Sequence, residues 1–375
     1  MSYQAECRWK ENKVRDAVRN IGKIDIEPDP IRPSDDVCGY RNKMQAPVQW
    51  KDGHLEWGFY RINSHDLIPS RSCMIEDPVS VKILNDLCDM TGQETGMALR
   101  HILIRRGKTS GQVMVVLITR KRELSDIREL AEKIAGMHPE IVSVVQNIND
   151  RDTNVILGEE ERCLYGLPYI EDKLGPYGFR ISSRSFFQIN PAQACNIYRQ
   201  AVEYAGLSGE ETVLDLYCGI GTVTSWLSEK AREVIGIETV EPAIQDAKDN
   251  AERNAIRNLT FYCSDAGKGA SFLQKQGKKI DVVTVDPPRK GMNREALEAI
   301  CRIAPEKIVY ISCNPATLAR DLGWLEEHGY RTIKVKPFDM FPRTAHVETV
   351  CCLYHQKNDF ISVPYEPKDV EYLKK

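Results

Sequence analysis

The second half of the chain alternates between short apolar segments and helical stretches, and this alternation restricts the fold more than any other feature. The apolar segments lie at 212–216, 233–237, 259–262, 280–285, 307–311, 331–335 and 347–354. Strands that alternate with helices in this way predict a seven-stranded, doubly wound, Rossmann-like α/β sheet. Asn190 and Pro191 form an N-cap and N1 pair, so a helix that runs to about residue 205 should precede the first strand.

The first half of the chain has a different pattern, built from hairpins. An amphipathic helix over 7–22 and a proline-rich passage come first. Two predicted hairpins follow, with strands at 37–50, 54–63, 99–106 and 112–120 and helical patterns at 78–90 and 124–137. We therefore predict three units: an N-terminal helix (1–22), a smaller α/β sandwich domain of mostly antiparallel strands (23–180), and the doubly wound domain (181–375).

Basic side chains gather on and beside the second predicted hairpin. They are Arg100, Arg105, Arg106, Lys108, Arg120, Lys121 and Arg122. Such a cluster can contact phosphates, although a solvated charged edge that prevents strand association explains the same residues. The net charge of −3 means that any nucleic-acid surface has to be a local patch.

The cysteine pattern and the hydropathy bound the class of protein. The twelve cysteines include no CxxC pair and no regular spacing, which argues against a disulfide framework or an ordinary zinc site and favours reduced thiols. No apolar run is long enough to span a membrane, and the start of the chain does not resemble a signal peptide. We expect a cytoplasmic protein without membrane contact.

Acidic residues follow successive predicted strands. The first strand ends in DLYCGIG (215–221), a glycine turn that lets a ligand approach the backbone, and the next two strands end at Glu238 and Asp265. Together these features predict a nucleoside pocket, although each acid alone could be a helix cap. The fourth strand ends in DPPR (286–289), whose prolines hold an extended backbone beside that pocket.

Cys313 ends the fifth predicted strand, in the motif SCNP (312–315). The Asn-Pro turn has to end the strand, which places the thiol at the carboxyl edge of the sheet, where open α/β folds keep their active sites. Cys313 is therefore our candidate nucleophile, although a lone cysteine is more often a small buried apolar residue.

Five motifs together resemble the RNA uracil-C5 methyltransferase family. They are FFQIN (186–190), DLYCGIG (215–221), DPPR (286–289), SCNP (312–315) and HVE (346–348), and they occur in the family's order. Residues 40–48 resemble part of that family's central domain. The chain is most similar to the bacterial 23S rRNA enzymes, particularly those of Gram-positive bacteria.

The resemblance implies a function, a cofactor and a set of site residues. It implies a monomeric enzyme that methylates uridine C5 in RNA, 23S rRNA by expectation, with Cys313 as nucleophile and Glu348 as base. In the methyltransferase sheet the last strand inserts antiparallel beside the fifth, so these two residues can face one substrate. The resemblance implies S-adenosylmethionine contacts at Gln188, Tyr217, Gly219, Gly221, Thr222, Glu238, Asp265 and Asp286. RNA contacts are expected at Phe186, Phe187 and Arg289, with core packing as the alternative for the two phenylalanines.

The chain departs from the family at its start. Many members carry a small β-barrel and a CxxxxxCxxC run that, with one later cysteine, holds a 4Fe–4S cluster. That run is absent here, and Cys73 resembles the later ligand without its partners. We therefore expect no iron–sulfur cluster, in a chain that is either truncated or naturally short.

Other functions stay open at this point. An amino-group methyltransferase would share the glycine turn but has no use for Cys313 or Glu348. A cytosine-C5 enzyme would need a different thiol motif, and a nicotinamide dehydrogenase would need the GxGxxG that is missing here. A tRNA substrate, or a non-catalytic RNA-binding protein on a methyltransferase fold, remains an alternative.

Overall fold

The computed structural model describes residues 1–151 and 153–356. The rest of the predicted third unit, 357–375, lies outside the described residues. The chain opens with helix α1 (Tyr3–Asn20), which begins one turn earlier than predicted because the side chain of Ser2 caps it by accepting a hydrogen bond from the Ala5 N–H.

Seven strands of the first half form one sheet. They are β1 (Lys43–Lys51), β2 (His54–Tyr60), β3 (Leu67–Pro69), β4 (Leu99–Arg106), β5 (Val113–Thr119), β6 (Ile141–Ile148) and β7 (Glu160–Gly166). Their spatial order is β3-β2-β1-β4-β5-β6-β7. Both predicted hairpins, β1/β2 and β4/β5, are confirmed as antiparallel pairs. Only β5 and β6 among these strands pair in parallel, so the predicted, mostly antiparallel character is confirmed.

Both faces of this first sheet are covered. One face packs its alternate side chains, including Ile102 and Ile104, against helices α2 (Pro78–Met90), α3 (Gln93–Ala98) and α4 (Ile127–Met137). On the other face Leu103 belongs to an apolar cluster that continues through the hairpin β8 (Tyr169–Leu174) and β9 (Tyr177–Ser182) to the second half of the chain. This double burial explains why every residue of β5 is buried.

The second half forms the predicted doubly wound sheet. Its strands are β10 (Thr212–Leu216), β11 (Glu233–Glu238), β12 (Leu259–Cys263), β13 (Val282–Val285), β14 (Lys307–Ser312), β15 (Tyr330–Phe338) and β16 (Glu348–His355). Its helices are α5 (Pro191–Ala205), α6 (Thr222–Ser228), α7 (Glu241–Arg253), α8 (Ala266–Lys275), α9 (Arg294–Ile303) and α10 (Pro315–Glu327). The strand order is β12-β11-β10-β13-β14-β16-β15, with β16 antiparallel to both of its neighbours.

Helix α1 packs against α10 and β15 in the second half of the chain. Its Val14 and Val18 share an apolar cluster with Leu318 and Leu322 of α10. Lys10 of α1 is fully buried, where its Nζ donates to the carboxylates of Glu6 and Asp339. The start of the chain therefore anchors the segment between β15 and β16.

Candidate active site

Cys313 and Glu348 meet at the edge where β14 ends and β16 begins. The last pair between these antiparallel strands joins Ser312 to Thr349, so the thiol and the carboxyl occupy the next positions beyond that pair. The strand ends there because Asn314 caps α10, its Oδ1 accepting from the N–H of Ala316 at 3.1 Å. Glu348 is only 5% exposed, whereas Cys313 is partly exposed. A substrate can therefore reach the sulfur from solvent.

Two carboxyls and one guanidinium set the electrostatics around the thiol. The pKa of Cys313 is raised to about 11, first by burial and then by the charges of Glu348 and Asp286, while the charge of Arg289 opposes them. Burial, followed by the charge of Asp286, also raises the pKa of Glu348 well above its ordinary value. Burial and the charge of Asp215 raise the pKa of Asp286 to about 7. Glu348 is consequently a stronger base than a solvated glutamate.

Arg289 lies at the mouth of this site. Its backbone oxygen accepts hydrogen bonds from Asn314 Nδ2 at 3.0 Å and from Thr317 Oγ1 at 3.1 Å, which tie the DPPR segment to the start of α10. Its exposed guanidinium is 3.4 Å from Nε2 of His346. Arg289 thus places a positive charge beside the thiol while remaining open to solvent.

The glycine turn after β10 forms an open cradle. Tyr217, Gly219 and Gly221 all have positive φ angles, of 65°, 55° and 79°, and Gly221 directly precedes α6. A Cβ placed on Gly219 would meet no heavy atom within 4 Å, so free space borders the backbone there. The N–H of Gly219 donates to Glu238 Oε2 at 3.3 Å. The turn can therefore accept a ligand directly against its main chain.

The acids after β11 and β12 both bond to the backbone. Glu238 Oε1 accepts from the N–H groups of Thr239 and Val240, at 2.7 and 3.1 Å. Asp265 is the N-cap of α8, and only its Oδ1 accepts the bonds from that helix. The helix-cap alternative therefore holds for Asp265, while its Oδ2 stays available to a ligand.

Two site residues were missed by the sequence analysis. Tyr198 of α5 is 1% exposed, its hydroxyl lies 3.1 Å from Oγ1 of Thr222, and the side chain of Gln188 lowers the pKa of that hydroxyl against the effect of burial. Asp215, also 1% exposed, accepts from Thr224 Oγ1 at 2.6 Å and from Thr284 Oγ1 at 2.8 Å. A tyrosine on an apolar helix face looks like a core residue, whereas an acid that ends a buried strand was a usable signal for Asp215.

The two phenylalanines of the FFQIN motif have different surroundings. Phe187 is 3% exposed, and its ring centroid is 6.0 Å from that of Phe179. Phe187 therefore packs in the apolar core, which was the alternative to an RNA contact for this residue. Phe186 is 64% exposed, so its ring is accessible to a substrate.

Most of the predicted basic cluster is engaged within the protein. Arg105 is 5% exposed and donates to backbone carbonyls, whereas Arg106 and Lys108 form ion pairs with Asp77. Arg122 pairs with Glu160. The interpretation of the whole cluster as a phosphate-binding surface is therefore wrong for the buried Arg105.

Arg100 and Arg120 line a groove of about 760 Å³ on the first sheet, where Arg100 also donates to the carbonyl oxygens of Asn149 and Thr153. Tyr60, His65 and His101 line it as well, with the Tyr60 ring edge-on to both imidazoles. His101 is 7% exposed, and its buried Nδ1 has no hydrogen-bond partner. Positive charge, aromatic rings and an unpaired polar nitrogen are the features that suit a nucleotide.

The described residues contain neither a recognisable metal centre nor a membrane helix. Within 1–151 and 153–356 no three His, Cys, Asp or Glu side chains are grouped to hold a metal ion. No helix in the same part of the chain is long and apolar enough to cross a membrane. The absence of an iron–sulfur cluster stays a prediction.

The fold and the site define the class of protein. A doubly wound sheet with an inserted antiparallel strand, a glycine turn after its first strand and acids at successive strand ends is a Rossmann-like methyltransferase fold.

Comparisons with known proteins identify the family within that class. The model of the tRNA (uracil-5-)-methyltransferase family matches residues 72–356, and the chain belongs to this family. An uncharacterized RNA methyltransferase of Halalkalibacterium halodurans is 44% identical over 366 residues, which cover 94% of this chain and 79% of that protein. One from Clostridium tetani is 44% identical over 359 residues, covering 93% and 78%.

A solved structure agrees with this assignment. The Pyrococcus abyssi tRNA (uracil-54, C5)-methyltransferase, in complex with S-adenosyl-L-homocysteine, superposes with a TM-score of 0.76 at 27% identity. The superposition covers 94% of this chain and 84% of that one. The fold predicted from the sequence is confirmed, and the protein is an RNA methyltransferase by family.

Proposed function

We propose that this protein transfers a methyl group from S-adenosylmethionine to C5 of a uridine in RNA, through a covalent adduct with Cys313. The observation that carries the proposal is the register of β14 and β16, which brings Cys313 and Glu348 to adjacent positions. Methylation of an amino group or a ribose hydroxyl needs no such pair, whereas C5 of uracil is too weak a nucleophile to react unaided.

The cofactor assignment is supported by the cradle at the glycine turn. The open space beside Gly219 lets a nucleoside approach the main chain. Asp265 Oδ2 is free of the helix-cap bonds, so it can accept from an adenine amino group. Glu238 is half-buried and can accept from ribose hydroxyls. When bound, S-adenosylmethionine supplies an electrophilic methyl group, and the related Pyrococcus abyssi enzyme was crystallised with the demethylated product of this compound.

The first chemical step belongs to Cys313. Its thiolate adds to C6 of the uracil, which forms a sulfur–carbon bond and moves the electron pair of the C5–C6 double bond toward C5 and the O4 carbonyl. The high pKa of this thiol makes the thiolate scarce but strongly nucleophilic. The guanidinium of Arg289 is the positive charge that favours it.

The second step belongs to Glu348. C5 would accept the methyl group with its electron pair while S-adenosylhomocysteine leaves, and that carbon would then carry both the methyl group and its original proton. Glu348 removes the proton, the electron pair restores the C5–C6 double bond, and the thiolate of Cys313 leaves. Burial keeps the pKa of Glu348 high, which suits a group that has to take a proton from carbon.

RNA recognition is assigned to the groove on the first sheet and to Phe186. Arg100 and Arg120 line the groove and can contact phosphates. The target base has to leave its stack to reach Cys313, which costs a few kcal/mol and is least expensive in an RNA loop. The exposed ring of Phe186 is placed to stack on an unpaired base.

The substrate we propose is 23S rRNA, bound by a monomeric cytoplasmic enzyme. A tRNA substrate is the second candidate. The name of the matched family refers to tRNA, and the superposed Pyrococcus abyssi enzyme is a tRNA methyltransferase. Uridines in loops occur in both RNAs, so substrate choice has to be measured.

Nucleoside analysis tests the proposal directly. The protein is incubated with methyl-labelled S-adenosylmethionine and, separately, with 23S rRNA fragments and unmodified tRNA, and the digested RNA is examined by mass spectrometry. Labelled 5-methyluridine in the rRNA is the expected result. The same product in tRNA alone would correct the substrate, while label in a methylated purine would overturn the thiol mechanism. Tight RNA binding without any label would favour a non-catalytic RNA-binding protein.

A further inference from the structure

The segment that carries Phe186 and Gln188 is held in place by the first sheet. It runs from residue 183 to 189, between β9 and α5, and so connects the hairpin to the second sheet. We propose that Arg105 and Asn42 are positioning residues, which fix the backbone of this segment so that Gln188 is ready for the methyl donor. This inference rests on the proposed function and assigns part of the cofactor site to residues of the first sheet.

Arg105 holds the start of the segment. It extends from β4, and its Nη2 donates to the carbonyl oxygens of Ser183 at 3.0 Å and of Ser185 at 2.6 Å. Burial lowers the pKa of Arg105 to about 10, so the side chain is still charged at neutral pH. Glu161 of β7 also holds the start of the segment, because its carboxylate accepts a hydrogen bond from Ser183 Oγ at 2.7 Å. A buried guanidinium that satisfies two carbonyls of one loop restricts that loop strongly.

Asn42 holds the end of the segment. Its Nδ2 donates to the carbonyl oxygen of Gln188 at 3.0 Å, and its backbone N–H donates to that of Ile189 at 2.9 Å. Asn42 is itself fixed to the first sheet, because its own carbonyl accepts from the N–H of Arg106 at 2.8 Å. Asn42 is only 5% exposed, so these bonds are protected from water.

These contacts connect the first sheet to the cofactor turn. With its backbone fixed by Asn42, Gln188 presents its side chain to the hydroxyl of Tyr198, which in turn lies 3.1 Å from Oγ1 of Thr222. Thr222 is the first residue of α6, directly after the glycine turn. A loose segment would have to be ordered each time the ligand binds, and that ordering would reduce affinity.

The test measures cofactor binding without RNA and without turnover. Affinity for S-adenosylhomocysteine is measured by calorimetry for the wild type, Arg105→Met, Arg105→Lys and Arg106→Met. Arg106 is the matched control, because it is the next residue of β4 and pairs with Asp77, which keeps Lys108 as a partner. We expect Arg105→Met to bind about tenfold more weakly, which corresponds to the loss of about one hydrogen bond. Arg105→Lys should recover part of the loss, and Arg106→Met should bind like the wild type.

Hydrogen exchange distinguishes local positioning from general damage. In Arg105→Met the amides of 183–189 should exchange faster, while those of β5 in the centre of the first sheet stay protected. Unchanged affinity together with unchanged exchange in 183–189 would overturn the proposal, and so would equal acceleration in β5.

A second variant covers the case in which Arg105→Met does not fold. Asn42→Ala removes one side-chain hydrogen bond and leaves the backbone bonds of Asn42 in place, so we expect a two- to fivefold loss of affinity. If Asn42→Ala bound S-adenosylhomocysteine with wild-type affinity, that result would count against the proposal. A wild-type protein that binds S-adenosylhomocysteine but methylates no uridine would refute the proposed function alone. If the wild type did not bind this ligand, the proposed function would fail, and the exchange comparison would still decide whether the segment is positioned.

Discussion

Ser312 and Thr349 are paired across two antiparallel strands, and this pair determines the geometry of the candidate active site. The position after Ser312 is Cys313, and the position before Thr349 is Glu348. On its other side Glu348 pairs with Phe338 of β15. The candidate nucleophile directly follows one interior strand and the candidate base begins the neighbouring one, so both are anchored to the sheet.

Cys313→Ala should abolish methylation and any covalent RNA adduct. Without the sulfur no bond to C6 can form, so we expect the rate to fall at least about a thousandfold. Denaturing gel electrophoresis of labelled RNA measures the adduct, and nucleoside mass spectrometry measures the product. Cys73→Ala is the control, because Cys73 is also partly exposed but lies outside the site. Product formation by Cys313→Ala would disprove its role as nucleophile.

Glu348→Gln should methylate the base but fail to release it. The amide cannot accept the C5 proton, so the elimination of Cys313 stops and a methylated protein–RNA adduct accumulates. The adduct is detected by electrophoresis with label in the methyl group. Glu327→Gln, a change at an exposed residue of α10, should release product normally. Normal turnover by Glu348→Gln would require another base.

The rate of adduct formation should rise with pH. The pKa of Cys313 is raised to about 11, so the thiolate fraction increases about tenfold per pH unit below that value. Glu348 acts only in the later elimination, so its protonation does not supply the base for this step. Single-turnover rates between pH 6.5 and 9 measure the slope. Arg289→Met should shift the profile to higher pH, because the guanidinium lowers the pKa of the thiol; an unchanged profile would contradict this electrostatic role.

Asp286→Asn should stabilise the folded protein at alkaline pH while impairing activity. The pKa of Asp286 is raised from 3.8 to about 7, so the folded form binds more protons than the unfolded form between these values. Stability from this group is therefore present below about pH 4 and is lost as the pH rises through about 7. At pH 8.5 the amide should raise the free energy of unfolding by about 2 kcal/mol relative to the wild type.

Urea unfolding at pH 5 and pH 8.5 measures this difference. The gain should be larger at pH 8.5, where the wild-type carboxylate has to be charged in its half-buried position. Asp249→Asn, at an exposed position of α7, should show no comparable gain. A gain for Asp286→Asn that is equal at both pH values would show that the carboxyl titrates normally.

Lys10→Met should destabilise the protein strongly. Lys10 is fully buried and donates to Glu6 at 2.8 Å and to Asp339 at 2.6 Å. Its removal leaves the buried carboxylate of Asp339 without this counter-charge, whereas Glu6 keeps the guanidinium of Arg343 at 3.5 Å. Breaking a buried ion pair in this way costs about 3–5 kcal/mol. Thermal unfolding measures the loss, and Lys13→Met is the matched control, because that lysine donates to the carbonyl of Ala345 instead of to a buried carboxylate. If Lys10→Met lost no more stability than Lys13→Met, water would have to hydrate the carboxylates in place of the ammonium group.

The local elements could be predicted from the sequence because their causes are local. The strand over 212–216 and the helix α5 with its Asn190 cap have the predicted position, and both hairpins have the predicted pairing, although β1 begins at Lys43 instead of residue 37. Apolar periodicity, caps and turns act over a few residues, so a pattern is enough to detect them. The motifs also indicated Cys313 and Glu348, but their proximity depended on a strand order that came from the resemblance and not from the residue pattern.

Only the tertiary structure decided which partners the polar side chains bind. By sequence Arg105 is one of seven basic residues near a hairpin, but in the fold it is buried against Ser183 and Ser185. Lys10 looks like one of the charged residues of an amphipathic helix, but it reaches Asp339 across the chain. Sequence patterns describe which residues prefer to be buried. Which donor meets which acceptor depends on how distant elements pack, because a buried charge is tolerated only where a partner from elsewhere in the chain satisfies it.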